Sequence, residues 1–189
     1  MLPLEVILDA ATLFPASLRD ILLRLAEAKF YKVRWTNEVL EETRRNLVAK
    51  GKMSEEQAQH LFEEIGIAFP EAIVAKTDYE NTINLMKNHS GDRHVLAAAV
   101  ACKAQVIVTP NLRHFPKVIL EPLSVDAQSP DEFLRYRFEL NPELMVQTIE
   151  QQANGLKRFA RSRADVLNAL EKHASNTVRE IRLYLQNDS

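Results

Sequence analysis

The sequence predicts an α/β fold, a central parallel sheet flanked by helices, followed by an all-α C-terminal extension. Three observations carry this. The runs "VIL" (6–8) and "VIVT" (106–109) are apolar at consecutive positions, as in strands buried on both faces. Strand-like and helix-like segments then alternate through about residue 126, the pattern of a parallel sheet with helices on its faces. Beyond Pro130 no strand signal remains. The expected division is an α/β domain over 1–138 and a helical extension over 139–189.

Taken in order, residues 4–8 form a first strand that ends at Asp9. "PASLRDILLRLAEA" (15–28) carries Leu18, Ile21, Leu22 and Leu25 at helical spacing, with Pro15 suited to the first turn. "YKVRW" (31–35) is a second strand, its Arg34 and Trp35 read as strand-end packing. Thr36 caps a helix over 36–50 that ends at Gly51. Ser54 and Gln57 stand in capping-box spacing at the head of a helix over 54–69, which Pro70 ends. "AIVA" (72–75) is a weak strand, 79–87 a short helix, and about 92–104 a helix apolar almost all round, hence deeply packed. "VIVT" is a clear strand and "VIL" (118–120) a possible one. Residues 130–140 are helical. Met145, Ile149, Leu156 and Phe159 then lie on one helical side. A second stripe runs Leu167, Leu170, Ala174, Val178, Ile181 and Leu185, with spacing like a coiled-coil seam. It suits a helical hairpin on its own core, or an interface with a twin or partner chain.

The composition is that of a soluble globular protein, with 46% hydrophobic and 26% charged residues in a chain of 189. A net charge of −2 provides no global positive field, so any polyanion must meet a local patch. The single cysteine, Cys102, excludes an intramolecular disulfide and reads as a small core residue. No signal peptide and no membrane span is recognised, and the expected location is the cytoplasm.

Acidic residues fall where a parallel sheet builds sites, beyond the C-terminal ends of its strands. Asp9 ends the first strand. Glu38, Glu41 and Glu42 lie on the 36–50 helix, with Glu38 and Glu42 sharing a face. Asp92 opens the apolar helix, and Thr109 and Asn111 follow the "VIVT" strand. Each has a simpler reading as a cap, a turn or a solvated helix face. Convergence of Asp9, a helical Glu and Asp92 would instead demand a cation, because clustered carboxylates resist ionising together. Oxygen ligands select a hard ion, Mg²⁺ or Mn²⁺.

The segments "VILDA" (6–10), "WTNEVLEETRRNL" (35–47), "DRHVLAAAV" (92–100), "VIVTPNLRHFP" (106–116) and "AQSPDEFL" (127–134), in this order, make the chain resemble a PIN domain of the VapC-like toxin ribonuclease branch. The resemblance implies a PIN-like three-layer fold and Mg²⁺- or Mn²⁺-dependent endoribonuclease activity. By motif it carries the metal-binding acids onto Asp9, Glu42 and Asp92, Glu41 and Glu38 being weaker matches than Glu42. Asn111 and Thr109 complete the implied catalytic set. It also implies an RNA substrate, a cognate antitoxin protein and a homodimer. None of the histidines is required as a general base.

The chain departs from that pattern in two places. Relatives carry further acids just before "DRH", where this sequence has His89, Ser90 and Gly91. Their "NLRDF" is here "NLRHF", with His114 in place of an acid. His89 and His114 are poorer Mg²⁺ ligands that would lean towards Mn²⁺, and both are expected to be solvated surface histidines. The thinned acidic set also admits a weakened module that binds RNA or protein without cutting it. RNA contacts fall to Arg44, Arg45, Arg93 and Arg113, and to Lys157, Arg158, Arg161 and Arg163 of "KRFARSR" (157–163).

Overall fold

A computed structural model describes residues 4–155 and 162–187. Four parallel strands form the sheet: β1 (Glu5–Leu8), β2 (Lys32–Arg34), β3 (Val106–Val108) and β4 (Asp126–Gln128), in the order β2-β1-β3-β4. β1 pairs with β2 through Val6↔Val33 and with β3 through Ile7↔Ile107. β4 extends the sheet through Ile107↔Ala127. Val6, Ile7 and Leu8 are fully buried, as the consecutive apolar run requires. The strand order reverses between β1 and β3, so the connections leaving them diverge and open a crevice at the C-terminal edge.

The helices are α1 (Ala10–Leu13), α2 (Ala16–Glu27), α3 (Asn37–Ala49), α4 (Glu55–Ala68), α5 (Lys76–Tyr79), α6 (Arg93–Ala101), α7 (Lys117–Leu120), α8 (Pro130–Leu140), α9 (Pro142–Asn154), α10 (Arg163–Glu171) and α11 (Ser175–Asn187). Their starts follow the cap chemistry in the sequence. Thr36 accepts the Val39 N–H at the head of α3, and Ser54 and Gln57 form a reciprocal capping box on α4. Ser129 and Glu132 do the same on α8, whose first residue is Pro130. Pro15 stands one position before α2 rather than in its first turn. α6 is shorter than its apolar run, because Lys103 turns left-handed (φ 57°) just past its end.

Three expected elements differ. Residues 118–120 are not a strand but lie in α7; Val118 is 77% exposed, so the run is not buried on both sides. The fourth strand is instead Asp126–Gln128. It carries no strand signal in the sequence because it is short and polar, an edge strand with no apolar run. Residues 72–75 contribute one bridge, Trp35↔Ile73, flanked by Trp35 N–H to Ala72 C=O (3.0 Å) and Val74 N–H to Trp35 C=O (2.9 Å). Residues 80–85 form a 3₁₀ stretch following α5.

The C-terminal helices do not form a core of their own. α9 packs on α2, α10 on α9 and α2, and α11 on α8 and α10. Met145, Ile149, Leu167, Leu170, Ala174, Val178 and Ile181 belong to the same buried cluster as the sheet. Most of the apolar stripe is therefore spent within the chain, while Leu185 is half-buried. Asp131 of α8 ties the two regions. Its carboxylate accepts the backbone N–H of Thr177 (2.9 Å) and of Asn176 (3.2 Å), and so acts as a non-local cap on α11. The stripe positions Leu156 and Phe159 lie outside the described residues. Among the described residues no helix is long and apolar enough to cross a membrane.

Candidate functional site

Asp9 leaves β1 at the point where the sheet reverses, and its side chain is 4% exposed. Oδ1 accepts the Thr12 N–H (2.8 Å) and so caps α1. Oδ2 accepts the Thr109 hydroxyl (2.5 Å), and the Thr109 oxygen accepts the Asn111 N–H (3.0 Å). The Thr12 hydroxyl donates to the Val108 carbonyl (2.8 Å). Asp9, Thr109 and Asn111 are thus one hydrogen-bonded chain across the ends of β1 and β3. Burial pushes the Asp9 carboxyl above the usual aspartate range; the bonds from Thr109 and Thr12 oppose this, and the nearby negative charge of Asp92 adds to it.

Asp92 stands between a 3₁₀ turn (Ser90–Asp92) and α6. It occupies the cap position of α6, yet its side chain makes no cap hydrogen bond. Instead, Oδ2 lies 2.8 Å from His114 Nδ1 and 3.2 Å from His89 Nδ1. The two imidazoles stack 4.0 Å apart at 12°. Backbone bonds hold the loops together, from His89 N–H to His114 C=O (3.2 Å) and from Asp92 N–H to His89 C=O (2.9 Å). The expectation of solvated surface histidines is corrected for His114, whose side chain is only 20% exposed, while His89 is exposed, and a ring nitrogen of each lies close to one carboxylate. The signal was present in the sequence, since both histidines occupy positions where the motif carries acids.

The acids of α3 are disposed differently. Glu38 accepts the Tyr79 hydroxyl (2.5 Å) and pairs with Lys76 (3.4 Å). Partial burial raises the Glu38 carboxyl, but these two contacts outweigh it and leave it below its usual range. Glu41 pairs with Arg44 and more distantly with Arg45. Glu42 is exposed and pairs with no cation among the described residues. One group of three potential metal ligands within 4.8 Å of one another is found among the described residues, and it is His89, Asp92 and His114. Asp9 and Glu42 are not in it.

A divalent cation suits this edge. Asp9 and Asp92 repel one another, and neither is paired with a lysine or arginine among the described residues. An ion between the strand ends would neutralise both. Asp92 and the two imidazoles offer a ligand atom each.

The expected RNA-binding cations separate into committed and free ones. Arg44 is bound to Glu41 (2.6 Å) and to Glu55, and Arg45 stands 3.9 Å from Glu41. Arg93 reaches the Asn88 carbonyl (3.4 Å), and Arg163 pairs with Glu150 (3.2 Å). Arg113 is exposed with no carboxylate partner among the described residues. Lys157, Arg158 and Arg161 lie outside them.

Comparison with known proteins agrees with this architecture. Residues 4–113 match the PIN domain model, and residues 130–183 match the model described as the VapC50 C-terminal domain. A stretch of 65 residues is 51% identical to "Putative ribonuclease VapC50" of Mycobacterium tuberculosis (strain ATCC 25618 / H37Rv), covering 34% of this chain and 38% of that protein. The matched stretch therefore spans less than half of either protein. No solved structure matches the chain. A parallel four-stranded sheet with a buried aspartate at its point of reversal, matched by that model over more than half the chain, places this protein in the PIN-domain family.

Proposed function

We propose that the chain is a metal-dependent endoribonuclease that hydrolyses RNA phosphodiester bonds, the toxin of a toxin–antitoxin pair. The observation that carries this is the buried Asp9 with the negative charge of Asp92 near it, two carboxylates paired with no lysine or arginine among the described residues, at the open edge of a parallel sheet. Asp9 and Asp92 would hold Mg²⁺ or Mn²⁺ directly or through water. Such an ion lowers the pKa of a bound water and neutralises charge developing on phosphate. Thr109 fixes the Asp9 carboxylate through its hydroxyl, and the Asn111 backbone fixes Thr109 in turn. The Asn111 side chain, half-buried, would bind substrate or an ion-bound water. Glu42 would act from the solvent side, completing the cluster when RNA and ion are in place. Arg113, exposed and without a carboxylate partner among the described residues, would supply a phosphate contact, with Arg93 next to Asp92 in the chain.

A cognate antitoxin, a homodimer and a functional division near residues 138/139 belong to the same reading. The similarity to "Putative ribonuclease VapC50" supports it. The test is single-stranded RNA with purified protein. Cleavage is expected with Mn²⁺ or Mg²⁺, with loss on adding EDTA or on Asp9→Asn or Asp92→Asn. Cleavage that survives both substitutions would overturn the assignment. Expression is expected to arrest growth, with relief by the product of the adjacent gene.

A second reading rests on the same edge. His89 and His114 occupy positions where related motifs carry acids, and Glu42 stands apart from Asp92. A PIN module that binds RNA without cutting it would retain salt-sensitive RNA binding and show no EDTA-sensitive cleavage.

A further inference from the structure

Three potential ligand atoms gather around Asp92. His114 Nδ1 lies 2.8 Å from Asp92 Oδ2, and His89 Nδ1 lies 3.2 Å from the same oxygen. His89 Nδ1 also accepts the Gly91 N–H (3.3 Å). The three side chains each offer an atom within 4.8 Å of the others, close enough for one cation to be shared by all three.

Spacing and chemistry agree with a shared cation. Ligands bound at about 2.0–2.2 Å to one ion stand roughly 2.8–3.6 Å apart, from right-angled to tetrahedral arrangements. The two nitrogen–oxygen separations here are 2.8 and 3.2 Å. Parallel rings cannot both aim a lone pair in plane at one ion, so loading requires one ring to tilt out of the stack. His89 is the ring free to do so, its side chain being 53% exposed. Gly91 leaves room for the motion, since a Cβ there would stand 3.4 Å from His89 Nδ1. One residue before His89, Asn88 is 4% exposed, and neither atom of its amide has a partner among the described residues. Water that accompanies a bound ion is one source of partners for a buried unpaired amide in this segment.

We propose that His89, Asp92 and His114 form a two-nitrogen, one-oxygen site that selects a borderline first-row transition ion of the Zn²⁺ class over Mg²⁺. Imidazole ligands favour such ions, whereas Mg²⁺ prefers oxygen and retains its waters. The site deepens the ribonuclease reading, since Asp92 is shared with it. Its test measures binding rather than cleavage, so the two can fail separately.

The experiment titrates the full chain, stripped of metal with EDTA and dialysed, with Zn²⁺ and with Mg²⁺ by calorimetry. Co²⁺ serves as the optical probe, because its visible absorption reports nitrogen ligands. One Zn²⁺ per chain is expected, bound at least about 100-fold more tightly than Mg²⁺. His89→Ala should weaken Zn²⁺ binding about 10- to 100-fold and alter the Co²⁺ spectrum while leaving Mg²⁺ binding unchanged. His114→Asp, which supplies an oxygen ligand, should narrow the Zn²⁺ preference by about tenfold or more. His60→Ala, an exposed histidine on α4, should change nothing, which separates this site from adventitious surface binding. Circular dichroism on each variant establishes that it is folded. Zn²⁺ bound no more tightly than Mg²⁺, or bound equally by both site variants, would overturn the proposal. RNA cleavage with Mg²⁺ alone in the presence of a selective Zn²⁺ site would leave the ribonuclease reading intact and confine the site to another role.

Discussion

Asp9→Asn separates the cost of a buried charge from its use. The substitution keeps size and shape, and asparagine caps a helix as well as aspartate does, so α1 should remain. What disappears is an anion that is 4% exposed and near a second carboxylate. Burying an unpaired charge costs several kcal/mol even after relaxation. Against this, the bond from the Thr12 N–H (2.8 Å) loses its charge assistance, and at the Oδ2 position an amide NH2 must donate to Thr109 instead of accepting from it, each change costing about 1 kcal/mol. The net expectation is a gain of about 1–3 kcal/mol, and for a chain of this length about 2–4 °C in Tm for each kcal/mol. The sign is pH-dependent. Because burial raises the Asp9 carboxyl, the folded protein binds this proton more tightly than the unfolded one. Wild-type stability from this group is then fully present below the usual aspartate range and falls as pH rises through the elevated value. The advantage of Asp9→Asn should be near zero at about pH 3 and grow towards pH 7. Thermal melts in EDTA across that range measure it, alongside the RNA cleavage that the same substitution should abolish. A divalent ion should stabilise the wild type and shrink the gap. A variant less stable than wild type at neutral pH in EDTA would refute the argument that Asp9 is a costly, uncompensated charge.

Asp131→Ala removes the carboxylate that caps α11, and should cost about 1–2 kcal/mol at neutral pH by thermal melting. The bonds from Thr177 and Asn176 outweigh partial burial and hold this carboxyl below its usual range. Its contribution is therefore present above that range and lost as pH falls through the lowered value, where mutant and wild type should converge. Ile181→Ala, at a fully packed position of α11, should cost about 2–5 kcal/mol in urea or thermal unfolding, whereas a free-standing helical tail would show no loss in the main transition. Arg113→Ala should weaken RNA binding about equally across sequences and reduce the slope of log affinity against log salt by about 1, while Arg44→Ala, already committed to Glu41 and Glu55, should change that slope little.

Much of the architecture was legible because local rules and tertiary demands coincide. The run at 6–8 is a strand buried on both faces, and Thr36, Ser54 and Ser129 each cap the helix that follows them. The order of motifs was enough to place Asp9 and Thr109 at one sheet edge, since parallel strands bring their C-terminal ends together. β4 was not legible, because an edge strand of three residues needs no apolar alternation, and 118–120 looked like a strand because apolarity over three residues does not distinguish strand from helix.

The sequence by itself determined the strands β1, β2 and β3, most of the helices and the presence of acids at the strand ends, because these follow from hydrophobic period and from caps a few residues away. Only the tertiary structure decided how those acids are used. Glu38, Glu41 and Glu42 share one helix, yet Tyr79, Arg44 and solvent give them different surroundings. His89 and His114 are 25 positions apart and meet over Asp92 only because the loop after β3 returns to the start of α6. The fate of the C-terminal stripe was likewise open in the sequence. A helix face shows that it must be covered, and the packing of α9, α10 and α11 on α2 and α8 shows by what.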